Sequence, residues 1–231
     1  MTTTGPVREL RTLARAPLFS GLDAEDIRDL DARCQWRRLA AGEWVIDYQG
    51  AGRDVYFVFS GHARVEIVSA GREMILRDIK EGEYFGHYSA IDGKPRSAAI
   101  LAVVDTVVAR VTAELFWEML HRHPSVREGV LKALVADARV SNERAHEHAN
   151  FDTRRRLVSE LLRLSRVTGE SRLVVSPPPT HAELAARISS HREAVTKLLS
   201  ALERDGLISR GPGAIVLTDA AGLRRILAVD T

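Results

Sequence analysis

Residues 82–98 read GEYFGHYSAIDGKPRSA. Glycines at 82, 86 and 93 punctuate the stretch, and it lies between the apolar runs REMILRDI and AAILAVV. An isolated Pro-Arg-Ser-Ala string is the mark of an exposed loop arginine. The same string after a glycine-rich turn and between two strands reads as a ligand site. Outward from it the sequence is β. From Trp36 to Val111 the runs EWVIDYQ, DVYFVFS, ARVEIVS, REMILRDI, AAILAVV and TVVARV alternate or are continuously apolar, with glycines at the turns between or beside them. That spacing predicts an antiparallel sandwich, roll or barrel. Upstream, LDAEDIRDLDARC predicts a helix: Asp23 is its N-cap candidate, Asp26 follows three residues on, and Ile27 and Leu30 fall at helical spacing.

Downstream, TAELFWEMLHRH predicts a short helix, and Pro124 opens a much longer one running to about Ala149. Leu131, Leu134, Ala138, Ser141, Ala145 and His148 recur along it at alternating spacings of three and four, a heptad seam. Such a seam suits pairing with the same helix of a second copy; packing on the chain's own β domain is the alternative. Phe151 and Asp152 mark a change of domain. The helix TRRRLVSELLRLSRV, a stop at Gly169, the strand RLVVS and prolines 177 to 179 follow. Thr180 and Glu183 form a capping box for HAELAARI, Ser189 and Ser190 make a turn, and HREAVTKLLSALERDG is a second helix. Two short helices joined by a tight turn are a helix-turn-helix, and LISRGPGAIVLT supplies a wing. The expected class is α+β, divided into residues 1–123, 124–150 and 151–231.

Composition excludes several classes of function. The 231 residues are 45% hydrophobic, enough for one large domain or two modest ones. No stretch has the roughly 18 or more apolar residues of a membrane span, and MTTTGPVREL lacks the apolar core of a signal peptide, so no membrane partner and a cytoplasmic location are expected. The single cysteine, Cys34, rules out a disulfide framework and suits a buried apolar filler. The net charge of +2 is unevenly placed: residues 150–231 carry 13 Lys and Arg against 9 Asp and Glu, and the rest 20 against 22. The basic surplus fits DNA contact in the C-terminal third. His121 with His123, and His146 with His148, are two apart and point to different sides of a helix, so no metal is expected. There is no nucleophile with its base and no Gly-rich nucleotide loop, so the chain is not read as an enzyme.

Residues 82–98 resemble the phosphate-binding cassette of the CRP/FNR family, the relatives of the cyclic AMP receptor protein, and the order of parts matches from Asp23 through the wing. The resemblance implies an N-terminal cyclic-nucleotide-binding β-roll, a long dimerisation helix and a C-terminal winged helix-turn-helix. It also implies an allosteric homodimer that regulates transcription. Burying a phosphodiester charge demands a fixed cation and several N–H donors. Arg96 can supply the fork, Ser97 a hydroxyl and a backbone N–H, and Gly86 a close backbone approach, while a helical turn from His87 to Ile91 presents further N–H groups. His87 departs from the family, which has a glutamate there for the ribose 2′-hydroxyl; neutral imidazole can still accept that bond. The resemblance places Leu76, Arg77 and Ile79 beside the purine, with Ser141 and Asn142 reaching it from both subunits. Arg77 can donate to O6 and N7 of guanine, so the expected ligand is cyclic AMP, cyclic GMP or both.

Arg192, Glu193 and Lys197 lie at the start of the second helix of the motif and resemble the family's recognition signature. Arginine can bond bidentately to guanine and glutamate can accept from cytosine N4, whereas Lys197 replaces an arginine. Thr180, His181 and His191 are candidates for phosphate contact. Palindromic DNA with TGTGA-like half-sites, read in successive major grooves about 34 Å apart, is implied by the resemblance, as is RNA polymerase as a partner. The alternative is a regulator of the same fold that senses haem or another small molecule, or binds DNA without a ligand.

Overall fold

The computed structural model describes residues 11–69, 71–169 and 172–228. Single 3-10 turns at Leu13–Arg15 and Pro17–Phe19 lead into helix α1 (Ala24–Arg33). Asp23 caps α1, its Oδ1 accepting from the amides of Glu25 and Asp26 at 2.9 and 2.8 Å. Eight strands follow: β1 (Gln35–Leu39), β2 (Trp44–Ile46), β3 (Val55–Ser60), β4 (His62–Ser69), β5 (Arg72–Lys80), β6 (Tyr84–Phe85), β7 (Ala99–Ala102) and β8 (Thr106–Val111), with helix α2 (His87–Asp92) between β6 and β7. They form two four-stranded sheets, β1-β8-β3-β6 and β2-β7-β4-β5.

Strand β3 explains why VYFVFS reads as an unbroken apolar run. Tyr56 and Val58 join the core between the sheets, while Val55 and Phe57 join a second core with residues of α1 and the flanking helices. Two strands escape the sequence pattern. β1, QWRRL, carries two arginines yet pairs along its whole length with β8, and β6 is two residues within the opening stretch. Helices α3 (Ala113–Arg122) and α4 (Pro124–Asn150) follow the strands, and Val126 and Val130 of α4 join the core with α1.

The chain forms two compact units, and along α4 the division falls after Ala136. The second unit holds α5 (Thr153–Leu164), β9 (Arg166–Thr168), β10 (Arg172–Val175), α6 (His181–Arg187), α7 (Arg192–Arg204), β11 (Ser209–Gly211), β12 (Ala214–Leu217) and α8 (Ala220–Ala228). Its sheet runs β11-β12-β10-β9. The expected helix over TRRRLVSELLRLSRV stops at Leu164. Ser165 turns to an extended conformation, and β-branched Val167 and Thr168 pair with β10 instead. The predicted capping box is present: Thr180 Oγ1 accepts from Glu183 N at 3.2 Å and Glu183 accepts from Thr180 N at 2.7 Å. Leu157, Leu161, Leu184, Val195, Leu199 and Leu202 pack the three helices on one core.

Candidate functional site

Arg96 is the centre of the cassette. It stands just before β7, 5% exposed, and its guanidinium turns back onto two backbone carbonyls: Nη1 donates to Gly86 at 2.8 Å and Nη2 to Asp54 at 2.8 Å. Among the described residues no carboxylate lies within ion-pair distance of it. Burial pushes the guanidinium below the ordinary arginine value, against the opposing influence of Tyr56 and Asp54. The loop before β3 wraps this side chain. Arg96 N donates to Gly50 O at 3.0 Å, Gln49 N donates to Arg96 O at 3.0 Å, and a Cβ at Gly52 would lie 3.6 Å from Arg96 Nη2.

Asp54 is held in turn. Its Oδ2 accepts from Arg110 Nε at 2.7 Å and Nη2 at 2.6 Å, while Arg110 Nη1 donates to Gln35 Oε1 at 3.0 Å. That hydrogen bond to Asp54 raises the Arg110 guanidinium above its ordinary value. Sequence reasoning missed Asp54 and Arg110, because neither sits in the cassette; only the strand register that sets Tyr56 opposite Arg110 brings them there.

Gly86 has φ +85° and caps α2, and His87 begins that helix. His87 is buried between aromatic rings, edge-on to Tyr84 at 4.8 Å and to Tyr88 at 4.6 Å. Ser97 is exposed beside Arg96. Ile79 is fully buried in the core between the sheets, and Leu76 and Arg77 are half-buried. Strand alternation sets Arg77 and Ile79 on one face and Leu76 on the other. Ser141 and Asn142 are exposed on α4.

The exposed stripe of α4 differs from the expected seam. Leu134 packs against the core of the first unit, and His148 is half-buried beside Arg156, 3.2 Å from its Nη1. Leu131, Val135, Ala138, Asn142 and Ala145 are exposed at spacings of four, three, four and three. Leu131 and Val135 are 57% and 55% exposed, large for aliphatic side chains.

In the second unit, Arg192, Glu193, Thr196 and Lys197 are exposed on one side of α7 while Val195, Leu199 and Leu202 are buried on the other. His191 is the N-cap of α7 and makes no side-chain cap bond. The Thr180 oxygen is engaged in capping α6. His181 Nδ1 lies 2.8 Å from Thr196 Oγ1, whose hydroxyl donates to Arg192 O at 2.9 Å. The wing strand β11 is fastened to α7 by Arg210, whose backbone amide and Nε donate to Glu203 at 3.0 and 2.9 Å.

A β-roll with a buried arginine bonded to two backbone carbonyls, followed by a helix-turn-helix with a wing, defines a DNA-binding regulator. Comparison with known proteins agrees. Residues 36–123 match the cyclic nucleotide-binding domain family and residues 155–226 the Crp-like helix-turn-helix domain family. The cyclic AMP receptor protein of Thermus thermophilus is 32% identical over 213 residues, covering 91% of this chain and 96% of its own length. The CRP-like cAMP-activated global transcriptional regulator of Mycobacterium tuberculosis is 24% identical, covering 92% and 97%. A CooA mutant from Carboxydothermus hydrogenoformans has the same fold, with a TM-score of 0.80 at 18% identity, covering 94% and 98%. The chain belongs to the CRP/FNR family of DNA-binding transcription regulators, a family of regulators and not of enzymes.

Proposed function

We propose that this protein is a homodimeric transcription regulator that binds cyclic AMP, cyclic GMP or both in its β-roll and DNA through α6 and α7. The observation that carries the ligand reading is Arg96: a buried guanidinium whose bonds go to two carbonyls, with no carboxylate among the described residues within ion-pair distance, is a cation in need of an anion. A cyclic phosphodiester supplies one negative charge with oxygens suited to a planar fork. Two of the relatives matched over nearly their whole length carry cyclic AMP in their names, which supports the same ligand class.

In this reading Gly86, Arg96 and Ser97 hold the phosphate and His87 accepts from the ribose. Arg77 and Ile79, on one face of β5, with Ser141 and Asn142 of the long helix, take the base, and Leu76 stands on the other face of the strand. Arg77 gives the site a donor for guanine. The exposed stripe of Leu131, Val135, Ala138, Asn142 and Ala145 pairs with its copy in the partner. Nucleotide binding favours one arrangement of the two DNA-reading heads, by the difference in affinity between arrangements. Arg192, Glu193 and Lys197 read bases of a palindromic, TGTGA-like site, and Thr180, His181 and His191 contact phosphate. The protein acts in the cytoplasm beside RNA polymerase, without a metal.

The test is calorimetric titration of the dimer with each nucleotide, repeated with Arg96→Ala. Loss of two charge-assisted hydrogen bonds of about 1.5–3 kcal/mol each should weaken binding by at least about 100-fold. No heat from either nucleotide with the wild-type protein would overturn the ligand reading and leave the DNA reader standing.

A further inference from the structure

Glu160 is a charged residue on the apolar stripe of α5, between Leu157 and Leu161, and its side chain is 1% exposed. Guanidinium groups from three helices surround it. Arg163 of α5 donates to Oε2 at 2.5 Å, and Arg144 of α4 to the same oxygen at 3.3 Å. Arg187 of α6, itself buried, stands 3.6 Å from Oε1. A second carboxylate, Glu147 of α4, accepts from Arg163 at 2.6 Å and from the Ser159 hydroxyl at 2.5 Å.

Burying ions costs about as much as pairing them returns, so apolar residues at 160 and 187 would serve packing at least as well. What charges add is direction. Glu160 Oε2 accepts from Arg163 and Arg144 only along its lone pairs, which fixes α4 against α5, and the buried Arg187 charge 3.6 Å from Oε1 holds α6 to the same carboxylate by attraction.

We propose that Glu160 is a positioning residue for DNA reading. Through Arg187 it sets the first helix of the motif, and through Arg144 it ties the last turns of α4 to that helix, so the two shift together. DNA occupancy is then felt in the end of the long helix, and by reciprocity a displacement of that end is felt at the DNA. The first direction needs DNA binding alone; the second rests on the nucleotide reading above.

The experiment is hydrogen exchange of the full chain, with and without a duplex carrying two TGTGA half-sites, at low salt where phosphate contacts keep the protein saturated. Arg144→Met removes the bond from α4 to Glu160, leaving Glu160 with Arg163 and Arg187 and α4 held to α5 only through Glu147, and Arg144→Lys restores a cation. In the wild type, DNA should slow exchange in residues 138–150 as well as in α6 and α7. In Arg144→Met, DNA affinity should change by no more than about threefold, α6 and α7 should still be protected, and the effect on 138–150 should fall well below that in the wild type. Arg144→Lys should recover part of it. Equal DNA-dependent protection of 138–150 in Arg144→Met and wild type overturns the proposal, as does a wild type whose α6 and α7 respond while 138–150 do not. A chain that ignores both nucleotides yet shows the expected pattern supports the tie and overturns only the nucleotide reading.

Discussion

Gly86 and Arg96 share one small space. A Cβ on Gly86 would stand 2.8 Å from Arg96 Nη1 and 2.6 Å from the carbonyl oxygen of Asp54, and that same nitrogen donates to the Gly86 carbonyl at 2.8 Å. The seat of the buried cation therefore depends on the absence of a side chain ten residues upstream.

Gly86→Ala should consequently damage the phosphate site more than the fold. The left-handed backbone costs a non-glycine residue about 1–2 kcal/mol, and the methyl group must also push Arg96 off its two carbonyls. The expected result is a fall in thermal midpoint of a few degrees with at least about tenfold weaker nucleotide binding. Wild-type affinity in Gly86→Ala would show that the seat of Arg96 does not matter for the ligand.

Leu131→Lys with Val135→Lys should separate the subunits while leaving each one folded. Both side chains are largely exposed in the single chain, so the exchange removes no contact of the described core. Two facing rows of lysines would then repel across the proposed seam. Light scattering should report the mass of one chain at micromolar concentration, with circular dichroism unchanged; a persistent dimer would place the interface elsewhere.

The strand-rich first part, the capping box and the helix-turn-helix were all legible in the sequence, because each rests on a local period or a short-range cap. The turns around Arg96 were legible through their glycines. Three things were not. β1 hides behind Arg37 and Arg38, which stand on opposite faces of the strand and so break the alternating apolar pattern on both. Asp54 and Arg110 meet only through cross-strand register. Leu134 and Val135 are both apolar, and only packing decides that Leu134 faces the roll while Val135 stays exposed. Glu160 and Arg187 did leave a signal: each replaces an aliphatic residue at an i, i+3, i+4 position, beside Leu157 and Leu161 and beside Leu184 and Ile188.

Those two residues carry a stability prediction. Glu160→Leu alone takes away the acid that Arg144, Arg163 and Arg187 share and should cost about 3–5 kcal/mol, read by urea unfolding. Adding Arg187→Leu removes one buried charge of that cluster and fills the space with an apolar group, so the pair of substitutions should recover at least half of that loss. A double variant as unstable as the two single losses combined would mean that the residues do not act on each other.

Cys34 sits at the end of α1, buried, with its Sγ 3.4 Å from the Asp31 carbonyl oxygen. Burial, helped by the Asp31 charge, pushes its thiol from 9.0 up to about 12. The folded protein should therefore resist a thiol reagent at pH 8 and react quickly in denaturant. The unfolded chain sheds this proton near pH 9.0 and the folded chain holds it to about 12. The contribution of Cys34 to stability thus falls as pH rises through that window, by about 1.4 kcal/mol per unit. Cys34→Ala should flatten that part of the pH profile, and prompt labelling of the native protein would contradict the burial.

Arg192 is exposed at the first position of α7, with its backbone carbonyl held by Thr196 and its side chain clear of the helix core. A guanidinium there can donate two parallel bonds to O6 and N7 of one guanine. Arg192→Ala should then cost about 1–3 kcal/mol on the best site and relax the choice of base at a single position of each half-site. Lys197→Ala, at a residue one turn further along, should show a smaller loss, since an ammonium makes no bidentate contact. The measurement is binding to a set of duplexes that differ by one base pair, at fixed salt, because phosphate contacts change affinity for every sequence alike. If Arg192→Ala weakens all duplexes equally, the residue holds the backbone and the reading of guanine belongs to a neighbour on the same face of α7.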